Sequence, residues 1–305
     1  MNPEAVAIIL RPLIAPVLWS LALSWVCWRF LAPRVSAGGL PPASENGSGP
    51  RWSGALALAL GLLFASFIDL GLAAALRWGE PRALPVHVAV LAGAFALLEL
   101  LWCSRAPALI TWLIRAAAAA GVLALALARY EEPAGLARAI IISGWAIGIT
   151  AAWRFAETSA RAAGPWSIAP ALVAAALASP LLFSVSIAPG KAAMWLAGAL
   201  GSILLAALFL RSRRVSIAGP ALGVLWLTLG TMLLLRVHVN EDLPLWMAAC
   251  VLASPAAAAL ASLPFIARRP RWLRGLAALF LAAAPILAAL AVALPEAMRK
   301  AEGAY

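Results

Sequence analysis

Three ionisable side chains lie well inside apolar stretches of the sequence: Asp69, Glu99 and Arg115. A charge near the centre of a lipid bilayer costs about 2.5–3.5 kcal/mol, so each of these groups needs a partner or a wet cavity. On helices that rise about 1.5 Å per residue, Glu99 lies about 6 Å and Arg115 about 13 Å from the same end of two consecutive helices. Helices joined by a few residues are antiparallel neighbours, which predicts a Glu99–Arg115 ion pair.

This ion pair has two interpretations. It is either a substrate or proton site, or a structural clamp between two helices, and the clamp is favoured. Asp69 lies about 10 Å from the opposite end of the preceding helix, where we expect no basic partner at its depth. It is therefore expected to be protonated or to face water, as a functional group or as a hydrogen-bonding group between helices.

Four further polar residues fall together on the outer face of the predicted topology: His87, His238, Glu241 and Asp242. A metal site needs several such ligands to converge, and two histidines share a side often enough by chance that we expect neither a metal nor a cofactor. Glu241 and Asp242 could bind a cation or a partner. Because they lie just before a predicted helix that follows Pro244, capping of that helix is the favoured interpretation.

The composition argues against an ordinary soluble domain. Of 305 residues, 65% are hydrophobic and only 11% are charged, whereas soluble domains carry about 25% charged residues. The net charge of +11 comes from basic residues spread over many short loops, which argues against a nucleic-acid partner. Cys27, Cys103 and Cys250 are isolated, so neither a disulfide framework nor a zinc site is predicted.

Apolar runs of about 20 residues recur along the chain and predict an all-α integral membrane protein with about ten transmembrane helices, short loops and no sizeable soluble domain. We expect residues 1–305 to form a single polytopic membrane domain, with residues 32–52 as a flexible cytoplasmic loop. A five-plus-five division near residues 154–166 is a further hypothesis, because inverted repeats occur in transporters. The predicted helices are Leu13–Leu31, Ser53–Leu76, Pro85–Cys103, Ala106–Ala128, Leu136–Trp153, Ser167–Ser186, Ala192–Leu210, Ile217–Leu235, Leu245–Ile266 and Leu273–Leu294.

Basic residues in the connections predict the orientation. The side of the odd-numbered connections collects thirteen basic residues, helix ends included, and the side of the even-numbered connections and the two termini has nine. Cytoplasmic loops carry the excess of basic residues, so the arginine-rich turns are predicted in the cytoplasm and both termini outside the cell (inner) membrane. In this prediction Glu157 belongs to the connection after the fifth helix, and Lys191 to the connection before the seventh.

The residue pattern favours a non-catalytic function. The sequence contains no HExxH, GxSxG or P-loop motif, and no GxGxxG before a helix. Abundant Ala and Gly favour close helix packing, which predicts a packing or accessory subunit whose partners are the lipid bilayer and other membrane protein subunits. The alternative is a transporter for a small or lipid-like solute, with Asp69, Glu99 and Arg115 near the path. An intramembrane enzyme is the least favoured class.

Overall fold

The computed structural model describes residues 11–26, 52–77, 80–102, 107–160, 168–209 and 219–302. Within these ranges the chain forms α-helices and short 3-10 turns and contains no strand, so the all-α prediction is confirmed for the described residues. Residues 32–51 of the predicted cytoplasmic loop lie outside the described residues. So do residues 161–166 of the predicted five-plus-five division.

The α-helices are numbered here in chain order. The first six are α1 (Ile14–Val26), α2 (Trp52–Leu70), α3 (Leu72–Leu76), α4 (Leu84–Trp102), α5 (Ala108–Leu127) and α6 (Gly135–Ala160). The other six are α7 (Ala169–Phe183), α8 (Ile187–Phe209), α9 (Pro220–His238), α10 (Leu245–Ala259), α11 (Pro264–Ala267) and α12 (Arg271–Glu302).

Six of the described helices are long and apolar enough to cross a membrane: α5, α6, α8, α9, α12, and α10 together with the 3-10 turn that follows it. Shorter apolar stretches lie at four other predicted spans: Ile14–Val26, Gly54–Leu70, Leu84–Phe95 and Ala169–Phe183. A helix of 17 residues is about 26 Å long, less than the roughly 30 Å of a bilayer's apolar core. The six long helices fit a multi-pass membrane protein, and the predicted count of ten is not confirmed.

Two predicted helices are divided in the structure. The second ends at Leu70 because Gly71 has φ 81°, a left-handed conformation that glycine adopts without steric cost and that interrupts a helix. The ninth ends as an α-helix at Ala259 and continues through a 3-10 turn, Leu260–Ser262, to the short helix α11.

Three other helices are longer than predicted. The fifth predicted span continues past Trp153 to Ala160, and the seventh begins at Ile187 instead of Ala192. The last helix runs over 32 residues to Glu302. At each of these ends, polar residues that were predicted to lie in connections are part of a helical turn.

Helix α9 lies in the centre of the bundle, where most of its residues are buried against α2, α4 and α6. Two glycines allow α6 to pack closely against it. A Cβ atom added at Gly223 would lie 2.5 Å from the ring of Trp153, and one added at Gly230 would overlap Ile149. This close packing fixes the last turns of α6 beside the start of α9.

Candidate functional site

Arg115 lies between two glutamates that come from two other helices. Its Nε donates to Glu99 Oε1 at 3.0 Å, and its Nη2 bonds both Glu99 and, at 2.7 Å, Glu157 Oε1. The side chains are almost fully buried, with exposed fractions of 1% for Glu99, 4% for Arg115 and 6% for Glu157. The predicted Glu99–Arg115 ion pair is therefore confirmed, and the structure adds a second carboxylate to it.

Aromatic side chains pack around this group of charges. The guanidinium carbon of Arg115 lies 4.2 Å from the centroid of the Trp153 ring, a cation–π contact that gains strength when both groups are desolvated. The Trp153 indole donates to the carbonyl of Gly219 at 3.0 Å, and Phe95 meets the same ring edge-on at 6.4 Å. These contacts fix the position of the Trp153 ring against the guanidinium of Arg115.

A fourth charge connects the group to the surface. Arg154 Nη1 lies 3.6 Å from Glu157 Oε2, and its side chain is 41% exposed. Glu99, Arg115, Glu157 and Arg154 thus form a row of alternating charges, two acidic and two basic, that runs from the interior to the exterior. We call these four residues and Trp153 the Arg115 cluster.

The Arg115 cluster joins α4, α5 and α6 through charged hydrogen bonds. A buried ion pair gains stability only when hydrogen bonds satisfy its members, and here Nε and Nη2 of Arg115 both donate to carboxylates. Removing one partner of a buried pair costs about 3–5 kcal/mol, because an uncompensated charge remains. The guanidinium of Arg115 therefore contacts carboxylates from both α4 and α6.

Asp69 also has a basic partner, and the prediction that it lacks one is wrong. Lys191 Nζ donates to Asp69 Oδ1 at 2.5 Å, and the two side chains are 10% and 16% exposed. The prediction that Asp69 lies inside an unbroken helix is wrong as well. Because α2 ends at Leu70, Asp69 is in its last turn, just before the break at Gly71.

Lys191 and Glu157 are buried charged partners of the predicted residues, and sequence reasoning missed both. Each was placed in a connection, since the apolar run begins after Lys191 and ends before Glu157, but the helices extend one or more turns further. A signal was available in both cases. Lys191 is one of only two lysines in the sequence and directly precedes an apolar run, and Arg154 and Glu157 have the i, i+3 spacing of a helical pair.

His87 lies near the start of α4 and links it to two other segments. Its Nε2 donates to the carbonyl of Ala75 at 3.0 Å, and its Nδ1 accepts from Arg129 Nη2 at 3.4 Å. The ring of His238 instead packs edge-on against Trp145 at 6.0 Å. No group of three or more His, Cys, Asp or Glu side chains that could hold a metal ion occurs among the described residues.

The acidic turn before α10 has a different role from the predicted one. Asp242 Oδ2 pairs with Arg236 Nη1 at 2.9 Å, and Glu241 adopts a positive φ of 54° in the same turn. The N-cap residue of α10 is Pro244, and no side chain hydrogen-bonds the cap. The prediction that these acids cap the helix is therefore wrong, because the Asp242 carboxylate closes the preceding turn onto α9.

A pocket of about 270 Å³, part of which is open to solvent, lies between α6, α7, α9 and α10. Its walls are mainly apolar, with Ser159, Trp226 and Ser254 as the polar lining residues. None of the three predicted ionisable candidates lines this pocket. It therefore does not form the charged path that a transporter with those residues would need.

The fold and its charges define a helical protein with several helices able to cross a membrane and with its buried ionic groups paired to one another. No protein-family model matches the chain, and no curated protein is significantly similar to it. Its function is therefore inferred from its own residues.

Proposed function

We propose that this chain is a non-catalytic, multi-pass subunit that packs within a membrane assembly. In this proposal all ten apolar segments cross the cell membrane, the arginine-rich turns lie in the cytoplasm and both termini lie outside. The shorter apolar helices are accommodated by local thinning of the bilayer or by flanking polar side chains that reach the interface.

The pairing of the charges is the observation that carries the proposal. Asp69, Glu99 and Arg115 each bond an oppositely charged side chain of the same chain. Ionisable groups in membrane-spanning helices pair with one another or mark a substrate or proton pathway, and in this proposal the pairs serve to hold helices together. Here the same groups join helices: the Arg115 cluster joins α4, α5 and α6, and Asp69 and Lys191 join α2 and α8.

The outer surface of α5 supports an accessory role. This helix is the least buried of the six long ones, and Leu113, Ala117 and Gly121 are exposed along one of its faces. Apart from the backbone of α5 itself, no described atom lies within 4 Å of a Cβ built at Gly121. Small residues on a lipid-facing surface allow another helix to approach closely, so this face suits a neighbouring membrane subunit.

Photo-crosslinking in the native membrane tests the proposal. A photo-reactive amino acid at position 121 should give one discrete adduct with another membrane protein. The control position is Leu208 on α8, which is also exposed but is a large residue and not a small one. We expect lipid adducts at this position. Lipid adducts alone from both positions would contradict the proposal.

A transporter is the second candidate, and one observation favours it. The Asp69–Lys191 pair lies at an interrupted helix end, and discontinuous helices with charged groups are common at transporter binding sites. For a transporter, Asp69→Asn would abolish uptake of a labelled solute by cells while leaving the amount of folded protein unchanged. Unchanged uptake would exclude this role for Asp69.

A further inference from the structure

The corner between α11 and α12 concentrates positive charge. Arginines occupy positions 268, 269, 271 and 274, and the nearest acidic residues in the sequence are Asp242 and Glu296. No described carboxylate forms an ion pair with Arg268 or Arg269, and both residues are exposed. We call residues 263–274 the basic corner. The charges of Arg268 and Arg269 are therefore not compensated within the described part of the chain.

Backbone hydrogen bonds give the basic corner a defined shape. Arg268 N donates to Pro264 O at 3.2 Å, and Arg269 N donates to Ile266 O at 2.9 Å. Pro270 then precedes α12, and its carbonyl accepts from Arg274 N at 3.1 Å. Arg268 and Arg269 are therefore exposed on a short ordered turn that directly precedes the long apolar helix α12.

Large apolar side chains are exposed beside these arginines. The exposed fractions are 40% for Leu263, 67% for Phe265 and 55% for Trp272. Aromatic residues prefer the boundary between the apolar core and the headgroups of a bilayer, with arginine side chains reaching toward the headgroups. If this surface faced only water, the exposed rings would stay hydrated, which costs free energy. An acidic soluble partner could bind the arginines without any contact to the rings.

We propose that the basic corner binds the phosphate groups of anionic phospholipids, with Phe265 and Trp272 inserted between the acyl chains below them. The proposal requires that α12 crosses the bilayer, but it does not depend on an accessory role. A planar guanidinium donates two parallel hydrogen bonds to a phosphate, and basic clusters next to a membrane span attract anionic lipids. Arg268 and Arg269 are the residues expected to contact the lipid.

Native mass spectrometry of the purified full chain tests this inference. The protein is reconstituted in nanodiscs of equal parts phosphatidylglycerol and phosphatidylcholine, and the lipids retained after ejection are counted. We expect preferential retention of phosphatidylglycerol. In Arg268→Gln/Arg269→Gln this preference should fall about 30-fold, from the energy that each basic residue contributes near an anionic surface. Arg268→Lys/Arg269→Lys should retain most of the preference, because the charge is kept.

The matched control is Arg77→Gln/Arg82→Gln, which removes two exposed arginines from the other end of the bundle. It should keep the lipid preference of the unmodified chain. The inference is overturned if the control loses as much preference as the corner variant, since total charge would then explain binding, or if the corner variant loses none. Thermal unfolding of each variant in detergent confirms that the exposed substitutions leave the fold intact, and either result leaves the crosslinking test of the accessory role unaffected.

Discussion

Replacing Arg115 by Met should be the most damaging conservative change in the chain. Methionine fills a similar length but removes the guanidinium that separates two carboxylates whose side chains are 1% and 6% exposed. Glu99 and Glu157 then face each other without a positive charge between them. Breaking a buried pair in this way costs about 3–5 kcal/mol of unfolding free energy, a large part of the 5–15 kcal/mol that stabilises a typical domain.

The assay is reversible unfolding of the purified chain in mixed detergent micelles, followed by circular dichroism as the denaturing detergent is increased. Arg154→Gln is the matched control, because Arg154 contacts the same Glu157 but is 41% exposed. An exposed pair contributes about 0–1 kcal/mol. We therefore expect Arg115→Met to lose several times more unfolding free energy than Arg154→Gln.

A triple variant separates uncompensated charge from lost packing. With Arg115→Met combined with Glu99→Gln and Glu157→Gln, no charge stays buried, so the triple variant should be more stable than Arg115→Met alone. The reasoning is refuted if Arg115→Met loses no more than Arg154→Gln. It is also refuted if the losses of the three single variants simply add in the triple variant.

Three further sets of variants test other positions by the same assay. Asp69→Asn and Lys191→Met should each lower the unfolding free energy by about 1.5–3 kcal/mol, the range for a charged hydrogen bond. A variant in which the two residues are exchanged should recover part of this loss. No recovery would argue against the ion pair. Gly71→Ala should lower the unfolding free energy by about 1–2 kcal/mol because alanine is strained at positive φ. Gly121→Ala, at a helical position, should instead raise it by up to about 1 kcal/mol. Losses of equal size at the two glycines would contradict this. Trp153→Phe should lose about 1 kcal/mol with its indole hydrogen bond, against about 3–5 kcal/mol for Trp153→Ala; equal losses would show that the ring packing is unimportant.

Sequence reasoning found part of the Arg115 cluster for a physical reason. A charge inside an apolar run must be neutralised, and a short connection brings the next helix alongside, so Glu99 and Arg115 could be paired from spacing alone. Glu157 comes from α6, whose approach depends on close packing at Gly223 of α9. Packing between helices that are distant in sequence leaves no periodic signal. The spacing of Arg154 and Glu157 could therefore mark Glu157 as helical but could not pair it with Arg115.

Helix ends explain the other errors. Hydropathy marks where an apolar run stops, but a helix continues as long as its backbone hydrogen bonds are satisfied. The turn with Lys191 at the start of α8 is helical although polar residues are present. Conversely, Gly71 interrupts an apolar run with no change in hydropathy, since an isolated glycine is compatible with either a helix or a break. Asp69 was for this reason placed inside a continuous helix, although it lies in the last turn before a break.

The accessory role predicts that the chain does not exist alone in its membrane. The most direct measurement is the mass of the particle obtained when the tagged full chain is extracted from its native membrane in a mild detergent and purified in one step. The proposal predicts a particle heavier than one chain, with other membrane proteins present in fixed stoichiometry. A particle that contains only this chain and lipid would contradict it.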